Sequence, residues 1–385
     1  MNLYYKIFAG VVVIGCVSAA AIYLYLQQQK QKDDAAVQAI TTNLLEAKYR
    51  DAIQETETLR ANKQESDPLY AIDLEIASIA SFSELALNRA DAVSSEEWIN
   101  VIHMAKKQLE STRDPYLQAG AVDLLLLVLH QTNDPVVAAE IFAGEPFNKL
   151  RGQDRSTSLK NLATYSIELY PTAPPYIMLA RVRADAINYL LKPGSIVPID
   201  NASSTGLISR ANQIEENVKN AEMAAKTTKA RDGRSPFSLL TYPWNTIWSA
   251  YALSQAARVD KKYWLETENM FKDAILYTET TVDKNGKPYP ALLQLSAKAR
   301  LYYARGLYDI FGDARASDIT NTLDTLSAMI ERQPELYTAQ QRLFDLILKN
   351  RHRSEVTRHW YEEFAGLAKY SSSFASYLKS RGWDL

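Results

Sequence analysis

The 385-residue chain has a formal net charge of −2, with 47% hydrophobic and 23% charged residues, a composition that excludes a disordered chain and gives no global attraction for nucleic acid. Its single cysteine, Cys16, excludes a disulfide framework and a thiolate metal cluster. Glycine and proline number only 13 and 14, below the usual shares of about 7% and 5%, which predicts long helices joined by few turns.

The first predicted element is a transmembrane helix over residues 7–26, which follows a short tail of residues 1–6. The segment, IFAGVVVIGCVSAAAIYLYL, contains no charged residue, and a helix of about 20 apolar residues spans a hydrocarbon core of about 30 Å. Tyrosines stand near both ends, where amphipathic rings favour the membrane interface. The lipid bilayer is therefore a predicted partner, bound through residues 7–26.

Two other interpretations of this segment stay open. A cleaved signal peptide usually has an apolar region of about 7–15 residues that ends at small residues, whereas residues 22–26 continue the apolar run here. The sequence VIGC at positions 13–16 resembles the bacterial lipobox, which would make Cys16 a site of acylation. The apolar residues after Cys16 differ from the polar tether of that class, and a small hydrophobe in a membrane helix is the plainer interpretation.

The charges beside the segment do not decide its orientation. Lys6 and the α-amine precede it, and Lys30 and Lys32 follow it, so the positive-inside count is nearly even. A short N-terminal tail followed by a long C-terminal body is typical of an uncleaved signal anchor whose body is exported. We therefore expect a single-pass membrane protein with its body on the extracytoplasmic, periplasmic side.

Residues 27–34 predict a polar linker, and residues 35–192 predict an N-terminal half built of helical repeats. Asp-Pro pairs at positions 67, 114 and 134 predict helix starts, because aspartate caps a helix and proline fits its first turn. Residues 121–129, AVDLLLLVL, are apolar almost all round, which predicts a helix buried on several sides and too short to span a bilayer.

Residues 193–243 predict a loop-rich connection that contains one polar helix over about 206–228. Residues 244–385 predict a C-terminal half with the cleanest helical periodicity, because apolar residues recur at spacings of three and four. No alternating β-branched run predicts a strand. The predicted fold class is all-α, with an N-terminal transmembrane helix ahead of a helical body.

Residues 300–345 follow a recognisable order of a helix, a Gly312-Asp313 corner, an amphipathic helix after Ala316 and a proline at 334. This order resembles a tetratricopeptide-type repeat, and residues 49–59 and 263–277 resemble parts of two more. The resemblance is degenerate, because the family's Trp, Leu-Gly and Tyr positions are not reproduced together. It implies an α-solenoid of stacked antiparallel helix pairs with a concave partner-binding face, the alternative being an irregular helical bundle.

No residue set in the sequence predicts catalysis, a metal site or a cofactor. The four histidines form no His-Glu-x-x-His motif, and His352 and His359 stand among arginines, which favours a solvated basic face. Asp283-Lys-Asn-Gly resembles the start of a calcium loop but lacks the later acids, so it predicts a turn. Ser376-x-x-Lys379 lacks the companion motifs of a hydrolase. We therefore expect a protein that is not an enzyme.

Two features predict a partner-binding surface. The first is the aromatic group around Tyr242, Trp244 and Trp248. Aromatic residues at helical spacing usually form core, and exposed ones would serve as partner anchors or sugar-stacking platforms. The second is a basic patch that includes Arg231 and Arg234, which is either a solvated loop or a docking site for an acidic partner or lipid headgroups.

The sequence therefore leads to two functional hypotheses. The first is a membrane-anchored helical-repeat scaffold or adaptor, an accessory or assembly subunit that binds other proteins in a membrane complex, without nucleic acid. The alternative is a surface or periplasmic repeat protein that binds a glycan or peptide, possible as a lipoprotein if Cys16 is acylated.

Overall fold

A computed structural model describes residues 27–61, 94–132, 134–196, 204–232, 238–353 and 355–385. The predicted anchor at residues 7–26 and the helix start predicted at Asp67-Pro68 lie outside the described residues. Within the described ranges, no helix is long and apolar enough to cross a membrane.

The described residues form α-helices joined mostly by short turns, with a single isolated β-bridge between Val282 and Pro288 and no strand among them. The prediction of an all-α body is confirmed. In chain order the helices are α1 (27–45), α2 (Tyr49–Ala61), α3 (Ser95–Ser111), α4 (Pro115–Gln131), α5 (Pro135–Ile141), α6 (Arg155–Leu169), α7 (Ala173–Leu190), α8 (Ser204–Asp232), α9 (Ser238–Ala257), α10 (Trp264–Thr280), α11 (Pro290–Phe311), α12 (Ala316–Arg332), α13 (Thr338–Asn350), α14 (Glu355–Ala368) and α15 (Ser372–Ser380).

Two Asp-Pro pairs start helices as predicted. The Asp114 carboxylate accepts the backbone N–H of Tyr116 at 3.0 Å, and the Asp134 carboxylate accepts that of Val136 at 2.8 Å. Each interaction satisfies a donor that has no partner within the helix. The proline that follows each aspartate occupies the first helical position, where no backbone N–H is needed.

Two boundaries differ from the sequence prediction. Helix α9 begins at Ser238, ahead of the predicted start at Trp244, and contains Pro243. Proline removes one backbone hydrogen bond, and here it does so close to the helix start. Helix α8 extends to Asp232, so Arg231 lies in a helix instead of a loop. The polar linker predicted at residues 27–34 is helical, as a continuation of the anchor helix would be, and it is continuous with residues 35–45 in α1.

The body is built of packed helix pairs, because each helix from α6 to α11 contacts the next one along the chain. Helices α7, α9 and α11 also contact one another in series, and we call these three the central row. Such a pattern is typical of stacked helical repeats, in which one helix of each pair contacts its counterpart in the next pair. A corner at Gly312, whose φ of +50° favours glycine, joins α11 to α12.

The hydrophobic side chains form three clusters. The largest joins helices α7 to α15, and a second joins α3 to α7. The third joins Ile40 and Leu44 of α1 to Leu240 of α9 and Leu292 of α11. The first described helix therefore packs against the C-terminal helices, a contact that sequence order did not predict.

One acidic residue interrupts the buried apolar run of α4. The Asp123 carboxylate accepts hydrogen bonds from the Ser166 hydroxyl at 2.6 Å and the Thr172 hydroxyl at 2.7 Å. Burial nevertheless raises the pKa of Asp123 to about 6, because a charged group is disfavoured in an apolar environment. The carboxylate therefore links α4 to α6 and α7 in a pH-dependent way.

We expect Asp123→Asn to remove part of the pH dependence of stability. In the unfolded chain an aspartate ionises near 3.9, and a raised pKa in the folded state means that ionisation opposes folding. As the pH rises from 4 to 7, the wild-type protein should lose roughly 2 kcal/mol of stability relative to the variant. Urea unfolding of both proteins at the two pH values measures this difference, and a difference that does not change with pH would contradict the prediction.

Candidate functional site

The three aromatic residues among the predicted partner-binding residues differ in exposure. Tyr242 is 50% exposed, Trp244 is half-buried and Trp248 is buried. Arg231 lies in the last turn of α8, and Arg234 lies outside the described residues. Burial of the aromatic candidates on α9 therefore increases from Tyr242 to Trp248. Their role in partner binding stays a prediction.

The exposed end of this series lies near two exposed leucines on the outside of the body, which are separated by exposed polar residues such as Lys272. The Tyr242 ring contacts the Tyr277 ring edge to face, with centroids 5.0 Å apart. Next to Tyr277 on α10, Leu276 is 61% exposed, and Leu265 on the same helix is 70% exposed. These two leucines are separated by three helical turns, or about 16 Å, and so lie on one side of α10. We call Tyr242, Leu265 and Leu276 the outer strip.

Trp248, the buried residue of this series, belongs to a line of polar and aromatic side chains along the central row. The residues on each helix are spaced by three or four positions, so they share one helix face. We call this set the central polar stripe. Helix α7 contributes Arg181, Asp185 and Asn188. Helix α9 contributes Trp244, Trp248, Tyr251 and Gln255, and Arg258 directly follows it. Helix α11 contributes Lys298, Tyr302, Arg305 and Asp309.

Helix α14 covers one end of the stripe. Arg305 donates from Nε and Nη2 to the two carboxylate oxygens of Glu363, at 2.7 Å each. Both side chains are buried, and the Trp360 ring lies 4.4 Å from the Arg305 guanidinium carbon. A bidentate arginine–carboxylate pair is among the stronger polar interactions in proteins, so it fixes α14 on the central row.

A second ion pair fixes the loop after α7. The Arg258 guanidinium lies 3.5 Å from the Asp309 carboxylate and donates to the carbonyls of Lys192 at 2.6 Å and Ser195 at 3.0 Å. The Asp309 carboxylate in turn accepts the backbone N–H of Gly194 at 2.8 Å. Residues 192–195, where the sequence predicts the start of a loop-rich connection, are therefore attached to the central row.

His359 does not lie on the solvated face that the sequence favoured. Its Nε2 atom is 3.2 Å from the Asn188 side-chain oxygen, and the residue is half-buried. Burial lowers the pKa of His359, and the charges of Arg258 and Arg305 act in the same direction. The expectation failed because arginines near a histidine in sequence do not reveal which way a helix faces.

The other end of the stripe holds two cations against aromatic rings. The Arg181 guanidinium carbon lies 3.5 Å from the centroid of the Trp248 ring. The Lys298 amine lies 4.4 Å from the Trp244 ring and 4.6 Å from the Trp248 ring. Burial and the nearby charge of Arg181 lower the pKa of Lys298 to about 7. Cation–π contacts favour the charged form of a side chain, so they oppose this lowering of the pKa of Lys298.

Sequence reasoning identified the two tryptophans of this arrangement and missed its cations. Arg181 and Lys298 each stand in an amphipathic helix, where a charged residue usually faces solvent. No signal in the sequence distinguishes them from surface residues. In the part of the chain that the structure describes, no group of three or more His, Cys, Asp or Glu residues is arranged to hold a metal ion.

No family model matches the sequence, and neither the curated proteins nor the solved structures contain a detectable match. Function therefore has to be inferred from the chain's own residues.

Proposed function

We propose that the protein is a membrane-anchored, tetratricopeptide-like scaffold that binds other proteins as an accessory or assembly subunit of a membrane complex. The anchor would be residues 7–26, and the body would lie on the extracytoplasmic side. The observation that supports this proposal best is the outer strip, three exposed apolar side chains whose neighbour Tyr277 packs against the cluster that contains residues of α1. Stacked helix pairs provide the rigid support that such a binding surface needs.

If residues 7–26 are the anchor, the position of the outer strip suits a partner in the same membrane. Helix α1 begins at residue 27, immediately after the predicted anchor in sequence. Tyr277 packs against the cluster that contains Ile40 and Leu44 of α1, and Tyr242 contacts Tyr277. A partner on the strip would therefore contact the body next to its tether.

The chemistry of the outer strip favours a protein partner. Its leucines cover about 16 Å of one helix side, which suits the apolar face of a partner helix of about three turns. Lys272 and Asp273 are both exposed between these leucines, so the surrounding charges are mixed and do not favour nucleic acid. A large aromatic side chain such as Tyr242 is a common energetic centre of protein interfaces.

We expect a photoreactive amino acid at Tyr242 of the full-length protein to crosslink to one membrane protein in native membranes. The double variant Leu265→Glu with Leu276→Glu should abolish this product, because each carboxylate would be buried without a partner in the interface. The exposed Leu190 of α7 provides a matched control, and Leu190→Glu should leave the crosslink unchanged. The proposal fails if no specific product forms, or if both glutamate variants behave alike.

The alternative of a glycan-binding repeat protein has less support from the aromatic side chains. Trp248 and Trp264 are buried, and the Trp264 indole N–H donates to the Glu268 carboxylate at 2.9 Å. Stacking on a sugar ring requires an exposed aromatic face. Tyr242 and the half-buried Trp244 are the members of that group with accessible surface, and they suit the protein interface proposed above.

A further inference from the structure

We propose that the end of the central polar stripe formed by Arg181, Lys298, Trp244 and Trp248 is a binding site for a small organic anion that carries a carboxylate or phosphate group. This site is separate from the outer strip and would give the scaffold a second, small-molecule ligand. We call it the anion site.

The first argument is that two buried cations lack a directly bonded negative partner, although the charge of the buried Asp185 carboxylate acts on Arg181 without an ion-pair contact. Arg181 is 7% exposed and Lys298 is 9% exposed. Neither side chain forms a hydrogen bond or ion pair within the described ranges. Buried lysine and arginine are almost always paired, and two neighbouring like charges repel each other. An anion between them would remove both penalties.

The second argument is a surplus of unpaired donors. The Nε atom of Arg181 and the indole Nε1 atom of Trp248 are buried and have no hydrogen-bond partner. Native proteins leave few buried donors unpaired, so two of them at one tryptophan ring indicate a site for an acceptor.

The third argument comes from the opposite end of the same stripe. There, α14 supplies the Glu363 carboxylate, which Arg305 binds in bidentate geometry. At the anion site the nearest carboxylate on α7, Asp185, accepts the Tyr251 hydroxyl at 2.9 Å and forms no ion pair with Arg181. The described chain thus bonds one arginine of the stripe directly to a carboxylate, whereas Asp185 acts on Arg181 through its charge alone, so an external anion would be the direct partner of Arg181.

The surroundings also indicate the rest of the ligand. Tryptophan rings flank both cations, and the Tyr302 ring lies 5.4 Å from the Trp248 ring, so an apolar or aromatic portion would pack beside the anionic group. Helix α7 contributes to both large hydrophobic clusters, through Ile177 to the first and through Val182 to the second. Ligand sites often occur at such a junction between two packed units.

The test uses the full-length protein in a non-ionic detergent. Sodium benzoate and inorganic phosphate are the probes, and sodium chloride at equal ionic strength is the reference. We expect at least one probe to raise the midpoint of thermal unfolding by about 2 °C or more, because a ligand of the folded state stabilises it. The same probe should change the tryptophan fluorescence. A response to benzoate assigns the site to carboxylates, and a response to phosphate assigns it to phosphate compounds.

Variants connect that response to the proposed residues. Arg181→Met and Lys298→Met should abolish this response. Arg300→Met should retain it. Arg300 lies on α11, as Lys298 does, but its charge is paired with Glu279 of α10. Lys298→Met removes an unpaired buried charge and should remain folded in buffer without ligand, with an unchanged or higher unfolding midpoint. The proposal is overturned if neither probe exceeds chloride, or if Lys298→Met responds as the wild type does.

Discussion

Glu363→Ala is expected to lower the free energy of unfolding by about 3–5 kcal/mol, because it leaves the Arg305 guanidinium buried without its partner. Arg305 is 1% exposed, so water cannot replace the two lost hydrogen bonds. The Nη1 atom of Arg305 already lacks a partner, which leaves no spare acceptor nearby. Urea unfolding followed by circular dichroism measures the change.

Two further variants make this result specific to the ion pair. Glu362→Ala, on the same helix but exposed, should change the free energy of unfolding by less than about 0.5 kcal/mol, as surface substitutions usually do. The double variant Arg305→Met with Glu363→Leu should regain most of the loss, because apolar residues of similar size often replace a buried pair well. If Glu363→Ala destabilised the protein no more than Glu362→Ala, the buried pair would not exist as described.

Arg258→Met is expected to destabilise the protein by about 3–5 kcal/mol at pH 8 and by less at pH 5. Burial raises the pKa of Asp309, and the charge of Arg258 partly offsets this effect. Without Arg258 the pKa should rise further, so the folded state keeps its proton to a higher pH. Ionisation of the carboxyl then opposes folding, and stability falls as the pH rises from the unfolded value near 3.9 through the raised folded value.

The second variant, Asp309→Asn, separates charge from packing. In the double variant Arg258→Met with Asp309→Asn, the extra loss between pH 5 and pH 8 should disappear, because no carboxyl is left to ionise. A loss that comes from the hydrogen bonds to Lys192 and Ser195 should persist at both pH values. An effect of Arg258→Met that is equal at pH 5 and pH 8 would contradict the role assigned to Asp309.

These two ion pairs could not have been predicted from the sequence. Arg305 and Glu363 are separated by 58 positions, and Arg258 and Asp309 by 51, so each pair forms only when distant helices stack. The contact of α1 with Leu240 and Leu292 has the same origin. Trp248, as a large aromatic at helical spacing, was compatible with a core or with a binding surface, and its burial depends on which helices cover it.

The sequence by itself determined the features that depend on residues within one or two helical turns. Periodicity determined the all-α class, the Asp114 and Asp134 caps determined where α4 and α5 begin, and glycine at position 312 determined the corner after α11. Only the tertiary structure decided which polar residues are buried, which leucines form the outer strip, and which cations form no direct ion pair with a carboxylate. Exposure and charge pairing are properties of helix packing, because a side chain's environment is set by residues far away in the chain.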